Sequence, residues 1–142
     1  MDRLEDCVVS RGNGKLIPLK ENQAKITFKN PSNDWIIKIK PEKCSTLTGK
    51  RCDNLVIIER SAAGIFVELK GRHYEQGLKQ LQNTVKQVKT LHILDYMKAY
   101  LVTSSCPKIT TKNQRDQRNW QKEICPLRII RSGVEIDLTT II

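Results

Sequence analysis

Residues 52–70 read CDNLVIIERSAAGIFVELK, and the reading of the whole chain turns on them. Leu55 to Ile58 are apolar without interruption. Such a run suits a central strand covered on both faces. Ser61-Ala62-Ala63-Gly64 is a tight connection, and Ile65 to Lys70 forms a second strand. A link this short makes the two strands antiparallel neighbours. In the second strand Phe66, Glu68 and Lys70 share one face, and Ile65, Val67 and Leu69 share the other. Glu68 and Lys70 then stand roughly 7 Å apart and point the same way. The hairpin also returns Asp53, which opens the first strand, to the region of residue 70. One Asp, one Glu and one Lys are therefore expected together at one end of a sheet.

Downstream the period changes. Tyr74, Leu78, Leu81, Val85 and Val88 recur at helical spacing, opposite a face carrying Glu75, Lys79, Gln82, Lys86 and Lys89. This predicts an amphipathic helix over 73–90. Ala99 to Thr103 follows as a strand, and the helix is long enough to be a crossover that lays this strand parallel to the previous one. Thr111 to Ile124 is a polar helix, with Trp120 and Ile124 as its apolar contacts. Leu127 to Arg131 and Val134 to Leu138, separated by Ser132-Gly133, read as a closing hairpin. Upstream, Ala24 to Lys29 and Trp35 to Lys40 alternate around the turn cluster Asn30 to Asp34 and read as another hairpin. The first 20 residues show no clear element, apart from a turn at Arg11 to Lys15. The expected class is α/β: a mixed central sheet with an antiparallel hairpin, a crossover helix, a further strand and flanking helices. At 142 residues the chain is one domain, with a core over 24–104 and a C-terminal helix and hairpin over 109–140.

Charged residues closing two apolar strands require an explanation, because a buried ion is costly unless paired or bound to metal. A structural ion pair is one explanation, and a metal site is another. Mg²⁺ takes oxygen ligands, commonly one or two carboxylates with waters and substrate phosphate. Asp53 and Glu68 supply such carboxylates, and the Leu69 carbonyl supplies a further oxygen. The net charge of +10 favours polyanionic partners, nucleic acid first.

Asp53, fourteen intervening residues and then Glu68-Leu69-Lys70 resembles the D…(D/E)xK signature of the PD-(D/E)xK, or restriction-endonuclease-like, nuclease superfamily. The apolar strand after the Asp, the short turn, the strand ending in Glu68-Leu69-Lys70 and the following helix agree with it. The resemblance covers about 44–103. It is similar to the compact core of Holliday-junction resolvases and of small endonucleases from mobile elements or phage defence. It implies a restriction-endonuclease-like core, a Mg²⁺ or Mn²⁺ cofactor, and hydrolysis of DNA phosphodiesters, RNA being not excluded. Asp53, Glu68, Lys70 and the helix residue Gln80 would be catalytic, with metal at Asp53, Glu68 and Leu69. A domain of this kind works as a homodimer or as a subunit of a larger complex. The alternatives are a catalytically inactive nucleic-acid-binding module and an immunity or inhibitor protein on the same fold. Two departures stand out. Cys52 occupies the position where the signature often has Pro, and no upstream acidic residue is obvious among Glu5, Asp6 and Glu21.

Further candidates for phosphate contact are Lys43, Lys50 and Arg51 near the mouth of the site, Arg72 and His73 beyond Lys70, and the stripe Arg115, Arg118 and Lys122. Trp35 and Trp120 are expected in the core or at an interface. The cysteines number five, irregularly spaced and without CxxC, so reduced thiols in a cytoplasmic protein are expected, with Cys44 and Cys52 close across a turn. No signal peptide and no membrane-length apolar run is present. A Gly-rich phosphate loop, a metalloprotease motif and a GxSxG elbow are all missing.

Overall fold

The computed structural model describes residues 2–70, 74–104 and 111–141. After a 3₁₀ turn (Asp2–Cys7) the elements run β1 (Val8–Gly12), β2 (Leu16–Glu21), β3 (Ala24–Lys29), β4 (Ile36–Ile39), β5 (Asn54–Ile58), β6 (Ala63–Leu69), α1 (Tyr74–Lys89), β7 (Tyr96–Thr103), α2 (Thr111–Glu123), β8 (Leu127–Arg131) and β9 (Val134–Asp137). Among the described residues they build an α/β fold with a six-stranded mixed sheet, ordered β1-β4-β5-β6-β7-β8, and a three-stranded sheet, ordered β2-β3-β9. From β1 through β4 and β5 to β6 each pair is antiparallel, whereas β7 and β8 continue parallel to β6. No helix among the described residues is long and apolar enough to cross a membrane.

The sequence explains the layering. Every residue of β5 and of β6 is buried, as their continuous apolar runs require. Leu55, Ile57 and Phe66 pack under α1 with Leu81, Val85 and Val88. Val56, Ile58, Ile65, Val67 and Leu69 face the other way, onto Leu19, Ile26 and Phe28 of the small sheet. The six-stranded sheet therefore lies between a helical layer and a second sheet. The buried face of α1 is Gly77, Leu81, Thr84, Val85 and Val88. It is rotated slightly from the expected stripe, leaving Tyr74 and Leu78 half-buried.

Both expected outer hairpins are overturned. β3 and β4 do not pair. β3 joins β2 and β9, while β4 joins β1 and β5. The buried side chain of Asn30 directs this separation. Its Nδ2 donates to the carbonyls of Gly14 (3.0 Å) and Asp34 (2.9 Å), and its Oδ1 accepts from the Asp34 amide. The connection is thereby held as a crossing between sheets and cannot close as a hairpin turn. β8 and β9 separate in the same way: β8 lies parallel to β7 and β9 lies parallel to β3. Between them Ser132 donates its amide to Thr103, and Gly133, at φ +94°, donates to Lys25. That backbone angle favours glycine. The strands β1 and β2 had no counterpart in the sequence reading. Pro18 obscures β2 and is tolerated because β2 is an edge strand.

The cysteine expectation also fails. Cys7 and Cys44 form a disulfide that ties the N-terminal turn to the segment after β4. In the chain-entropy picture a bridge across a separation of 37 residues stabilises by about 4 kcal/mol. A reducing cytosol opens such bonds, so the structure describes the oxidised state. Cys52 is not paired with Cys44; it is buried and free, as is Cys125. Trp120 is buried, but Trp35 is 45% exposed and lies outside the core, with the Arg11 guanidinium 4.5 Å from its ring.

Asn30→Ala removes three hydrogen bonds and leaves Gly14 and Asp34 groups without partners. It is expected to lower the unfolding free energy by roughly 1–3 kcal/mol. In urea titration the midpoint should fall while the slope stays unchanged.

Candidate metal centre

The last ladder pair between β5 and β6 is Asn54 with Val67. One residue further, carboxylates replace the backbone ladder. Glu68 Oε1 accepts from the Asp53 amide at 3.0 Å, and Asp53 Oδ2 accepts from the Leu69 amide at 2.8 Å. The two strand ends are thus stitched by each other's side chains. Lys70 places its Nζ 3.8 Å from Glu68 Oε2, while its amide bonds Val102 in β7. Asp53, Glu68 and Lys70 are brought together as the alternation requires.

Helix α1 crosses directly over this point. A Cβ at Gly77 would lie 3.5 Å from Glu68 Cγ and from Lys70 Cβ, and 2.7 Å from Leu101 Cδ1. Glycine at this helix position permits the close approach that buries Glu68. A glycine inside an amphipathic helix is the signal of this approach that the sequence carries. The residues before Asp53 are pinned in turn. The Cys52 amide donates to Thr84 Oγ1 at 2.9 Å, and Gln80 Nε2 donates to the Arg51 carbonyl at 3.1 Å. Gln80 Oε1 is buried without a partner among the described residues.

Electrostatics follow from the burial. Glu68 is 1% exposed. Burial, and then the neighbouring Asp53 charge, push its carboxyl up to about 8, against the opposing pull of Lys70. Burial also raises Asp53, helped by the charge of Glu21 and opposed by the Leu69 amide and by Lys40 and Lys70. The Cys52 thiol is pushed up to about 12 by burial, and its Sγ donates to the Asn54 carbonyl at 3.4 Å. Two neighbouring carboxyl groups with one ammonium are short of positive charge. Lys40, at the end of β4, supplies a distant share that the sequence reading did not anticipate. Glu21, one of the considered upstream acids, stands close enough to act on Asp53 electrostatically.

The donor set decides which cation fits. No group of three or more His, Cys, Asp or Glu side chains converges among the described residues. Among the described residues the site offers two carboxylates, Asp53 and Glu68, and no third metal-ligating side chain beside them. That hard, oxygen-only pair fits Mg²⁺ or Mn²⁺, which retain waters and substrate oxygens, and not a closed zinc site. Asp53 Oδ1 and Glu68 Oε2 are the oxygens left without an amide donor.

The remaining candidates are dispersed. Lys43 and Lys50 are exposed on the loop before Asp53. Arg51 turns inward, its Nη1 donating to the carbonyls of Pro41, Cys44 and Leu47; it organises that loop instead of projecting from it. Arg72 and His73 lie outside the described residues. Arg115, Arg118 and Lys122 are exposed on α2 and form no ion pair with a described residue. Tyr74 donates to Asp116 Oδ2 at 2.6 Å, and Lys112 pairs with Glu75 and Asp116. These contacts dock the first turns of α2 on the start of α1, four residues from Lys70. No family model matches the chain, and no curated protein or solved structure matches it.

A raised carboxyl pKa costs stability where the unfolded group is ionised and the folded one is not. The metal-free protein should therefore lose stability as pH rises from the ordinary value of 4.5 to about 8, and level off above it. Melting temperatures across that range check this, and Glu68→Gln should flatten the slope.

Proposed function

We propose that the chain is a divalent-metal-dependent phosphodiesterase acting on DNA, built on a restriction-endonuclease-like core. One observation carries the reading: Asp53, Glu68 and Lys70 converge at the end of two buried strands, beneath a helix thinned by Gly77. The antiparallel series β4-β5-β6, followed by α1 and the parallel β7, is the arrangement that the superfamily resemblance implies. The charge of +10 supports a polyanionic substrate.

In this reading Asp53 and Glu68, with the Leu69 carbonyl, hold Mg²⁺ or Mn²⁺, which supplies Lewis acidity at the scissile phosphate and acidifies water. The chain's own residues do the rest. Lys70 orients the attacking water and stabilises charge developing on the phosphoryl oxygens. Gln80 acts as a catalytic-site residue by positioning, holding the Arg51–Asp53 segment in place through its bond to the Arg51 carbonyl. Arg115, Arg118 and Lys122, with Lys43 and Lys50, grip flanking phosphates. A single site cuts a single strand, so duplex cleavage calls for a homodimer or a larger complex. The reading belongs with a protein of phage defence or of a mobile element, and in a reducing cytoplasm it would act with the Cys7–Cys44 bond open.

The test is incubation of duplex, nicked, branched and single-stranded DNA with Mg²⁺ or Mn²⁺. Wild type should cut, and Glu68→Ala and Lys70→Ala should each lose about a hundredfold or more in rate. DNA binding without cutting, equal in all three proteins, would replace the nuclease by an inactive binding module.

A further inference from the structure

Six residues surround one open cavity of about 360 Å³: Arg11, Asn33, Asp34, Trp35, Glu59 and Arg60. The volume falls in the range of small-ligand sites, roughly 300–1,000 Å³. The cavity lies at the end of β4 and β5 where Ile36 pairs with Ile58, and Asp53 adjoins the other end of β5. Trp35 leads directly into β4, and its carbonyl accepts from the Glu59 amide at 3.0 Å. The backbone is thereby fixed, yet the indole stays in solvent. It is the only exposed tryptophan, tyrosine or phenylalanine among the described residues.

The groups around the indole are held in place by one another. The Arg11 guanidinium stands 4.5 Å from the ring centroid. Its Nη2 and Nε both reach Glu59 Oε2, at 2.8 and 2.9 Å. Arg60 grips Asp34 with two nitrogens, its Nε 3.2 Å from Oδ1 and its Nη2 3.5 Å from Oδ2. Asn33, at φ +51°, donates its Nδ2 to the Asn13 carbonyl at 2.9 Å. Two cations and two carboxylates cancel, so the cavity does not select an ion. It offers an aromatic surface with N–H donors and oxygen acceptors on its rim. A guanidinium carries five N–H donors, so Arg11 and Arg60 keep some beyond those spent on the carboxylates. That combination suits a planar ring whose edge both donates and accepts. A nucleobase is such a ring, and a chain of net charge +10 draws in the polyanion that carries it. A free cation lies close by. Residues 13–15 are bound to the turn before Trp35, through Asn33 to Asn13 and through the Asn30 amide to the Lys15 carbonyl at 2.8 Å. Lys15 is exposed and forms no ion pair with a described carboxylate.

We propose that Trp35, with the ion pairs Arg11–Glu59 and Arg60–Asp34, forms a stacking site for an unpaired nucleobase. The indole takes the face of the base, the rim groups take its edge, and Lys15 meets the adjoining phosphate. A base inside a duplex has both faces covered, so the ligand is single-stranded or extruded from its stack. The site shares the nucleic-acid partner of the proposed function but needs neither metal nor cleavage.

Fluorescence anisotropy in metal-free buffer tests this, with a dye-labelled single strand of mixed sequence and an abasic strand carrying the same number of phosphates. The proteins are wild type, Trp35→Ala, Trp35→Phe and Glu68→Ala. Trp35 lies outside the core, so both of its variants should melt like wild type. Wild type and Glu68→Ala should bind the base-bearing strand about tenfold more tightly than the abasic one, the worth of one stacked base. Trp35→Ala should lose that preference with its abasic affinity unchanged, and Trp35→Phe should keep part of it. Equal wild-type affinity for the two strands, or a preference that survives in Trp35→Ala, overturns the stacking site while leaving the nucleic-acid reading in place. Absence of binding to either strand overturns both.

Discussion

The exchange of carboxylates and amides between Asp53 and Glu68 is the contact on which the rest of the site depends. Where the ladder of β5 and β6 ends, two amides would otherwise stand unpaired in a buried place, at a cost of about 1–3 kcal/mol each. Asp53 takes the Leu69 amide, and Glu68 takes that of Asp53. The same two bonds bring two carboxyl groups side by side beneath α1, and burial there pushes both toward their protonated forms. Structure and electrostatics are therefore coupled: what closes the strand ends also creates the shortage of positive charge that Lys70 only partly meets.

Tight packing makes that shortage severe. Without a side chain at Gly77, α1 comes down onto Glu68 and Lys70 and removes water from them. Thr84 and Gln80, from the next turns of the same helix, hold Cys52 and Arg51. Arg51 in turn organises the loop that carries Cys44 and its disulfide. A continuous set of contacts thus runs from the N-terminal turn through this loop to Asp53. It places a carboxylate near the end of a strand, where loose ends are otherwise common.

The two faces of the central sheet have separate chemistries. Glu68 and Lys70 project under the helix, whereas Tyr96, Lys98 and Tyr100 project toward the small sheet. Strand alternation alone keeps them apart. A basic chain in this way keeps the carboxyl pair Asp53 and Glu68 apart from the cations Lys98 and Arg128, on opposite faces of the sheet.

Elements that depend on near neighbours were legible in the sequence. The hairpin of β5 and β6, the helix α1, the parallel β7 and the convergence of Asp53, Glu68 and Lys70 all follow from local periodicity and one short turn. What the chain does between distant segments was not. Alternation in β3, β4, β8 and β9 marks them as strands but carries no address. Only the Asn30 bonds to Gly14 and Asp34 and the docking of Gly133 on Lys25 assign them to different sheets. The Cys7–Cys44 bond spans two segments whose meeting no spacing rule foretells. Arg51 reads as a surface cation, and only the curled loop shows its guanidinium facing inward. By itself the sequence determined which residues pair locally and which chemistry stands at the strand ends. Tertiary structure decided sheet membership, burial and charge balance, because those depend on contacts between residues far apart in the chain.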